Sequence, residues 1–123
     1  MPPLPRESWV CFHRGHVDDK DRPAIVTSVS TGTIEVIYAR GAGLKNAQQG
    51  DEVFVRATSP DGLALGLSKD SFFRFDTVAQ VPPGWFRKRI GKCPALLFVR
   101  IAAVVQLARR RSRVVTHLSP PVP

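Results

Sequence analysis

Apolar residues in this chain alternate with polar ones in short runs as far as Val81, and take up helical spacing only after Pro94. A chain patterned this way hides its strands by pairing them and laying an amphipathic helix against the result. Ser8 to His13 (SWVCFH) puts Trp9, Cys11 and His13 on one face and Val10 and Phe12 on the other. Ala24 to Val29 (AIVTSV) is a β-branched strand closed by Ser30-Thr31-Gly32. Thr33 to Ala39 (TIEVIYA) turns Ile34, Val36 and Tyr38 away from Glu35 and Ile37. Glu52 to Ala57 (EVFVRA) is another alternating segment, ahead of the β-turn Ser59-Pro60-Asp61-Gly62. Leu63 to Leu67 and Ser71 to Phe75 read as further strands, the last extended by Thr77 to Val81. The polar run His16 to Pro23 and the Gly-punctuated stretch Arg40 to Asp51 read as loops. Short strands so closely spaced in 123 residues predict one closed or nearly closed barrel.

The helical part follows. Leu97, Phe98, Ile101, Val104, Val105 and Ala108 form one stripe, with Pro94 suited to a first helical position. Arg100, Gln106, Arg110 and Arg111 lie on or beside the other face, so the helix packs on the barrel or on a second subunit. Prolines at 2, 3 and 5 and at 120, 121 and 123 mark both ends as unstructured. The expected organisation is a flexible segment 1–7, a single domain 8–108, and a basic tail 109–123.

Charge is segregated along the chain. The net charge is +8, yet residues 1–76 are close to neutral. Residues 77–123 carry Arg87, Lys88, Arg89, Lys92, Arg100 and the arginines of 109–113, with no acidic side chain. A one-sided basic field points to an anionic partner: nucleic acid, an acidic protein segment or a membrane surface. The longest apolar stretch, Ala95 to Ala108, is broken by Arg100 and Gln106 and falls short of the roughly 20 residues of a membrane span. Cys11 and Cys93 are too few for a disulfide framework and no apolar leader precedes them, which suggests reduced thiols in a cytoplasmic protein.

Local motifs narrow the chemistry. Gly41-Ala42-Gly43 lacks the Gly and Lys of a phosphate-cradling loop, and no Cys-x-x-Cys is present. Cys11, His13 and His16, with Asp18 nearby, match no common zinc spacing, so neither metal nor cofactor is expected. Arg22 is different. Pro23 biases it towards an extended backbone, which aims the guanidinium from a rigid base at the start of an apolar strand. There it either binds or stabilises a phosphate, or it pairs with Asp18, Asp19 or Asp21. Trp85-Phe86-Arg87-Lys88-Arg89, with Lys92 behind, sets rings beside cations, as a base-stacking platform or as a basic loop over the barrel end.

Arg22-Pro23-Ala24-Ile25-Val26, after a short first strand, resembles the RP-x-x-V signature of the PemK/MazF growth-inhibitor toxins. Gly66 to Phe73 (GLSKDSFF) is similar to their L-x-x-D-S segment. Phe86 to Lys92 (FRKRIGK) is similar to the arginine-rich stretch and I-G turn that lead into their last helix. The resemblance implies a mainly β fold, a small SH3-like β-barrel with a C-terminal amphipathic α-helix, assembled as a homodimer. It implies a metal-independent endoribonuclease that cleaves single-stranded RNA and is blocked by a cognate antitoxin protein. In such enzymes the ribose 2′-OH attacks the adjacent phosphate, and the signature arginine, here Arg22, serves as general acid–base and stabiliser of charge. A guanidinium rarely deprotonates, so its electrostatic role is the stronger one.

The family's second catalytic residue is a Thr or Ser at the end of the next strand. The window Tyr38 to Gly43 holds no hydroxyl except that of Tyr38, and Thr27, Ser28, Thr31 and Thr33 come too early. Tyr38 or Arg40 then takes that place, or the chain is a non-catalytic relative that binds nucleic acid or, like the gyrase-poisoning toxins, a protein. His13, His16, Lys20, Arg87 and Arg89 are the candidate RNA contacts. The basic C-terminal third is a candidate dock for an acidic antitoxin segment.

Overall fold

β-Branched and aromatic residues pair into a seven-stranded sheet in this structure, a computed structural model that describes residues 2–15, 19–41 and 51–117. Strands β1 (Glu7–His13), β2 (Lys20–Ser30), β3 (Thr33–Gly41), β4 (Glu52–Val55), β5 (Ser71–Val81) and β6 (Phe86–Lys92) run in the order β4-β5-β3-β2-β1-β6. Every neighbour in that order is antiparallel, and a two-residue strand, β7 (Val115–Thr116), joins β5 in parallel. The sheet is not closed into a barrel, because β4 and β6 stand at opposite ends of the order. One segment expected as a further strand is instead a helix.

That helix, α1 (Pro60–Leu65), replaces the expected strand Leu63 to Leu67. Its punctuation outweighs its apolar alternation. Ser59 accepts the Gly62 N–H at 3.0 Å, Pro60 opens the first turn, and Gly66 closes it at φ +74°.

β2 and β3 are buried on both faces, and their alternation sorts side chains between two apolar clusters. Ile25, Ile37 and Ala39 face the stripe of α2 (Ala95–Arg110), where Leu97, Ile101, Val104, Val105 and Ala108 are buried as the spacing predicts. Ala24, Val26, Val36 and Tyr38 face the other way, onto Cys11, Phe12 and Trp85. Cys11 and Phe12 thus share a cluster, although strict alternation would separate them. β1 keeps an unbroken register against β2, and the shifts of its pairing with β6 place the extra residues, Arg87 and Ile90, on β6.

Three other expectations change. Lys20 to Pro23 belong to β2 rather than to a loop, so Arg22 is a strand residue opposite Cys11. Phe86 to Lys92 is strand β6, neither a loop nor a turn. Its Gly91 lies opposite Ser8 and lets α1 approach: a Cβ there would strike the Ala64 carbonyl oxygen, and one at Gly66 the Ile90 carbonyl oxygen. Ser8 Oγ donates to the Leu65 carbonyl at 2.7 Å across the same contact.

The ends are tied in as well. Arg6 donates its N–H to Val26 at 2.9 Å and accepts that of Cys93 at 2.6 Å. Beyond α2, Arg109 grips the buried Glu35 with two bonds of 3.1 and 2.6 Å. β7 then covers the free edge of β5 at Ala79 and Gln80. The expected tail is therefore folded as far as His117, and residues 118–123 lie outside the described residues.

Gly91→Ala should destabilise the protein by about 1–3 kcal/mol, the usual cost of overpacking a tight contact. A lower urea midpoint at unchanged slope checks it.

Candidate functional site

Pairing of Ala24 with Tyr38 fixes the register at the end of the β2–β3 ladder. Period-two alternation then carries Arg22 and Arg40 out along the face that Ala24 and Tyr38 share. Two depressions meet there, and Arg22, Ala39 and Arg40 line both. The first, of about 440 Å³, adds Lys20, Asp21, Ser68, Lys69 and Ser71. The second, of about 630 Å³, adds His13 and Arg14 from one side and Arg113, Val115 and His117 from the other. Thr77, Val78 and Ala79 of β5 lie between them.

Among the described residues, the second depression holds four arginines and one carboxylate, Asp76. Asp76 is shared, 3.6 Å from Arg40 and 3.3 Å from Arg74. The neighbouring acids are committed elsewhere: Asp21 pairs with Arg87 at 3.4 Å, and Asp19 accepts the Gly15 N–H at 3.2 Å. Arg22 Nε is buried and, among the described residues, has no acceptor. A buried guanidinium N–H left without a partner is a donor for an arriving anion. Neither Asp19 nor Asp21 pairs with Arg22, then, while Asp18 lies outside the described residues.

Tyr38 is the floor of the groove rather than a wall. It is 2% exposed, and its hydroxyl donates to the Phe12 carbonyl and touches Cys11 Sγ at 3.4 Å. Burial raises the pKa of that phenol and pushes the Cys11 thiol up to about 12, so both stay protonated. The His13 ring stands edge-on to Tyr38, 4.7 Å away. Burial, then the nearby charge of Arg22, lowers its pKa below 6.5. The His117 ring lies over Trp85 at 4.9 Å, its pKa lowered by burial and then by Arg14.

The structure thus brings His13, Lys20, Arg22, Tyr38 and Arg40 together at one groove. Arg87 and Arg89 do not line it. They sit on β6, on the side of β1 away from β2, paired with Asp21 and with Glu7 at 3.4 Å each. His16 lies outside the described residues. Arg14, Lys69, Ser71, Thr77, Arg113 and His117 are groove residues that the sequence reading did not select. Hydroxyls do reach the groove, from β5 rather than from the end of β3. Thr77 Oγ1 is bonded to the Tyr38 and Arg74 carbonyls at 2.9 Å each, and Ser71 Oγ to that of Lys69 at 2.9 Å. Among the described residues, no group of three His, Cys, Asp or Glu side chains is placed to hold a metal, and no helix is long and apolar enough to cross a membrane.

No protein-family model matches the sequence, and no curated protein matches it. Solved structures do match the fold. The Mycobacterium tuberculosis toxin MazF-mt6 superposes with a TM-score of 0.64 at 17% identity, over 85% of this chain and 97% of that one. A mycobacterial endoribonuclease in complex with its cognate antitoxin gives 0.63 at 11% identity, over 88% and 95%. A mycobacterial endoribonuclease gives 0.62 at 11% identity, over 100% and 97%. The chain has the MazF fold.

The two histidines make the free protein acid-sensitive. A pKa lowered by folding means that the unfolded chain binds protons first. Stability should therefore be full above pH 6.5 and fall as pH drops through the lowered values. Thermal midpoints measured across that range check it, with a shallower fall expected for His13→Gln.

Proposed function

We propose that this protein is a toxin-type endoribonuclease that cleaves single-stranded RNA without a metal ion. The buried Nε of Arg22, unpartnered among the described residues and placed where the two depressions meet, is the observation that carries this reading. The shared fold with MazF toxins supports it.

The chemistry follows from the charge. As a ribose 2′-oxygen attacks the neighbouring phosphorus, negative charge builds on the non-bridging oxygens, and the bond to the 5′-oxygen breaks. Arg22 donates to those oxygens from a base fixed by Pro23 and the β1 pairing. Arg40 is the second cation at the phosphate, and Lys20 and His13 hold the strand on either side. Tyr38 acts from beneath as a positioning residue for His13 and the end of β1.

The partners follow the same logic. We infer a homodimer in the cytoplasm, blocked by an antitoxin whose acidic segment docks on the basic C-terminal third; one of the structures that share the fold carries its antitoxin. A second reading, a non-catalytic RNA binder, is favoured by one observation: the end of β3 presents Arg40 and no hydroxyl beyond that of Tyr38.

Arg22→Ala should lower cleavage of a mixed-sequence RNA about a hundredfold or more, the usual loss for a transition-state donor. The assay runs in chelator, with product ends analysed for a cyclic phosphate and a free 5′-OH. Salt-dependent binding of intact RNA by the wild type would select the non-catalytic reading instead. Tyr38→Phe should cost about 1–3 kcal/mol of stability in urea, since the Phe12 carbonyl loses its donor.

A further inference from the structure

The segment after α2 brings a second imidazole into the groove. Beyond β7, the His117 backbone N–H donates to the Gln80 carbonyl at 2.8 Å, and the ring tilts 32° over the buried Trp85. Facing it across the same depression is His13, steadied edge-on by Tyr38. Arg22 and Arg40 line that depression too. Two imidazoles held against aromatic rings thus line one depression with the cations that would hold a phosphate. Among the described residues, Tyr38 and Cys11 are sealed in the core, and the Thr77 hydroxyl is bonded to backbone.

We propose that His13 and His117 are the proton-transfer pair of the RNA cleavage, His13 the general base and His117 the general acid. This rests on the endoribonuclease reading and deepens it. The unprotonated nitrogen of His13 takes the proton of the ribose 2′-OH as the 2′-oxygen bonds to phosphorus. The bond from phosphorus to the 5′-oxygen breaks, and protonated His117 gives that oxygen its proton. The products are a cyclic phosphate and a 5′-OH, and water returns the two rings to their starting states. No oxidant, reductant or metal enters the balance.

Burial and surrounding charges act on both rings. His13 faces Arg22 of β2 and Arg40 of β3, with Asp19 the opposing carboxylate and His117 the facing imidazole. Burial first, and those cations after it, favour its neutral, proton-accepting form. His117 faces Arg14 at the end of β1, with Arg113 and Asp76 lining the same depression. Burial, and then Arg14, lowers its pKa as well, and an arriving phosphate raises both. The pair also explains how a groove without a hydroxyl from the end of β3 can run the reaction.

The test uses the full chain in chelator, with a fluorogenic RNA for turnover and a fully 2′-O-methylated RNA of the same sequence for affinity. The wild-type rate should trace a bell against pH, with one limb from each imidazole. His13→Gln and His117→Gln should each lower kcat about a hundredfold or more while changing affinity less than about threefold. The first should flatten the acid limb of the bell and the second the alkaline limb. Added imidazole should restore turnover to His117→Gly, a rescue that a purely structural role would not give. Full-rate cleavage by either Gln variant, or rate and affinity falling together, overturns the pair and leaves the Arg22 reading standing. A wild type that cleaves no RNA overturns both.

Discussion

The pairing of β2 with β3 is the constraint on which the rest of the molecule hangs. Both strands are buried on two faces, so a slip of one residue would exchange the helix-facing set for the set that surrounds Trp85. The register of Ala24 on Tyr38 is thereby locked from both sides. Arg22 and Arg40 project from the open end of that locked ladder, which is why two like charges stay together there. The apolar core resists the repulsion that would spread them.

Charge placement in the folded protein differs from charge placement along the chain. The segment richest in Lys and Arg supplies Arg87 and Arg89, and both are drawn into pairs with Asp21 and Glu7. The nearly neutral first part supplies Arg14, Arg22 and Arg40, which line the groove together. Of the late arginines, Arg113 reaches it, carried there by the return that follows α2. Arg109 serves a different purpose. It satisfies the carboxylate of Glu35, which also accepts the Thr27 hydroxyl at 2.8 Å and would otherwise be a charge buried on β3. That clamp sets where α2 ends, and so where the return begins.

Elements whose apolar period persists were legible in the sequence. β2, β3 and α2 show it, because each buries residues at the spacing its backbone imposes. α1 was hidden by its own leucines: Leu63 and Leu65 alternate like a strand, while the deciding information lay in Ser59, Pro60 and Gly66. β6 carries no apolar alternation, since it is a sheet-end strand with three consecutive exposed cations, and only its partners make it a strand. Arg22 was legible from Pro23. Arg14 had a signal in its adjacency to His13, and Lys69 and Ser71 had one in the Leu67 to Phe73 motif. Arg113 and His117 had none, because a two-residue strand pairing in parallel with β5 leaves no periodic trace.

The outer edge of β5 is shared between two short partners. β4 takes Ser71 to Arg74, and β7 takes Ala79 and Gln80. The stretch between them, where Thr77 and Val78 line the groove, is too short to template an incoming strand from another molecule. The same interruption that leaves this edge recessed over the groove therefore shuts it to polypeptide, and among the described residues the rows of unpaired backbone groups are confined to β4 and β6 at the two ends of the sheet.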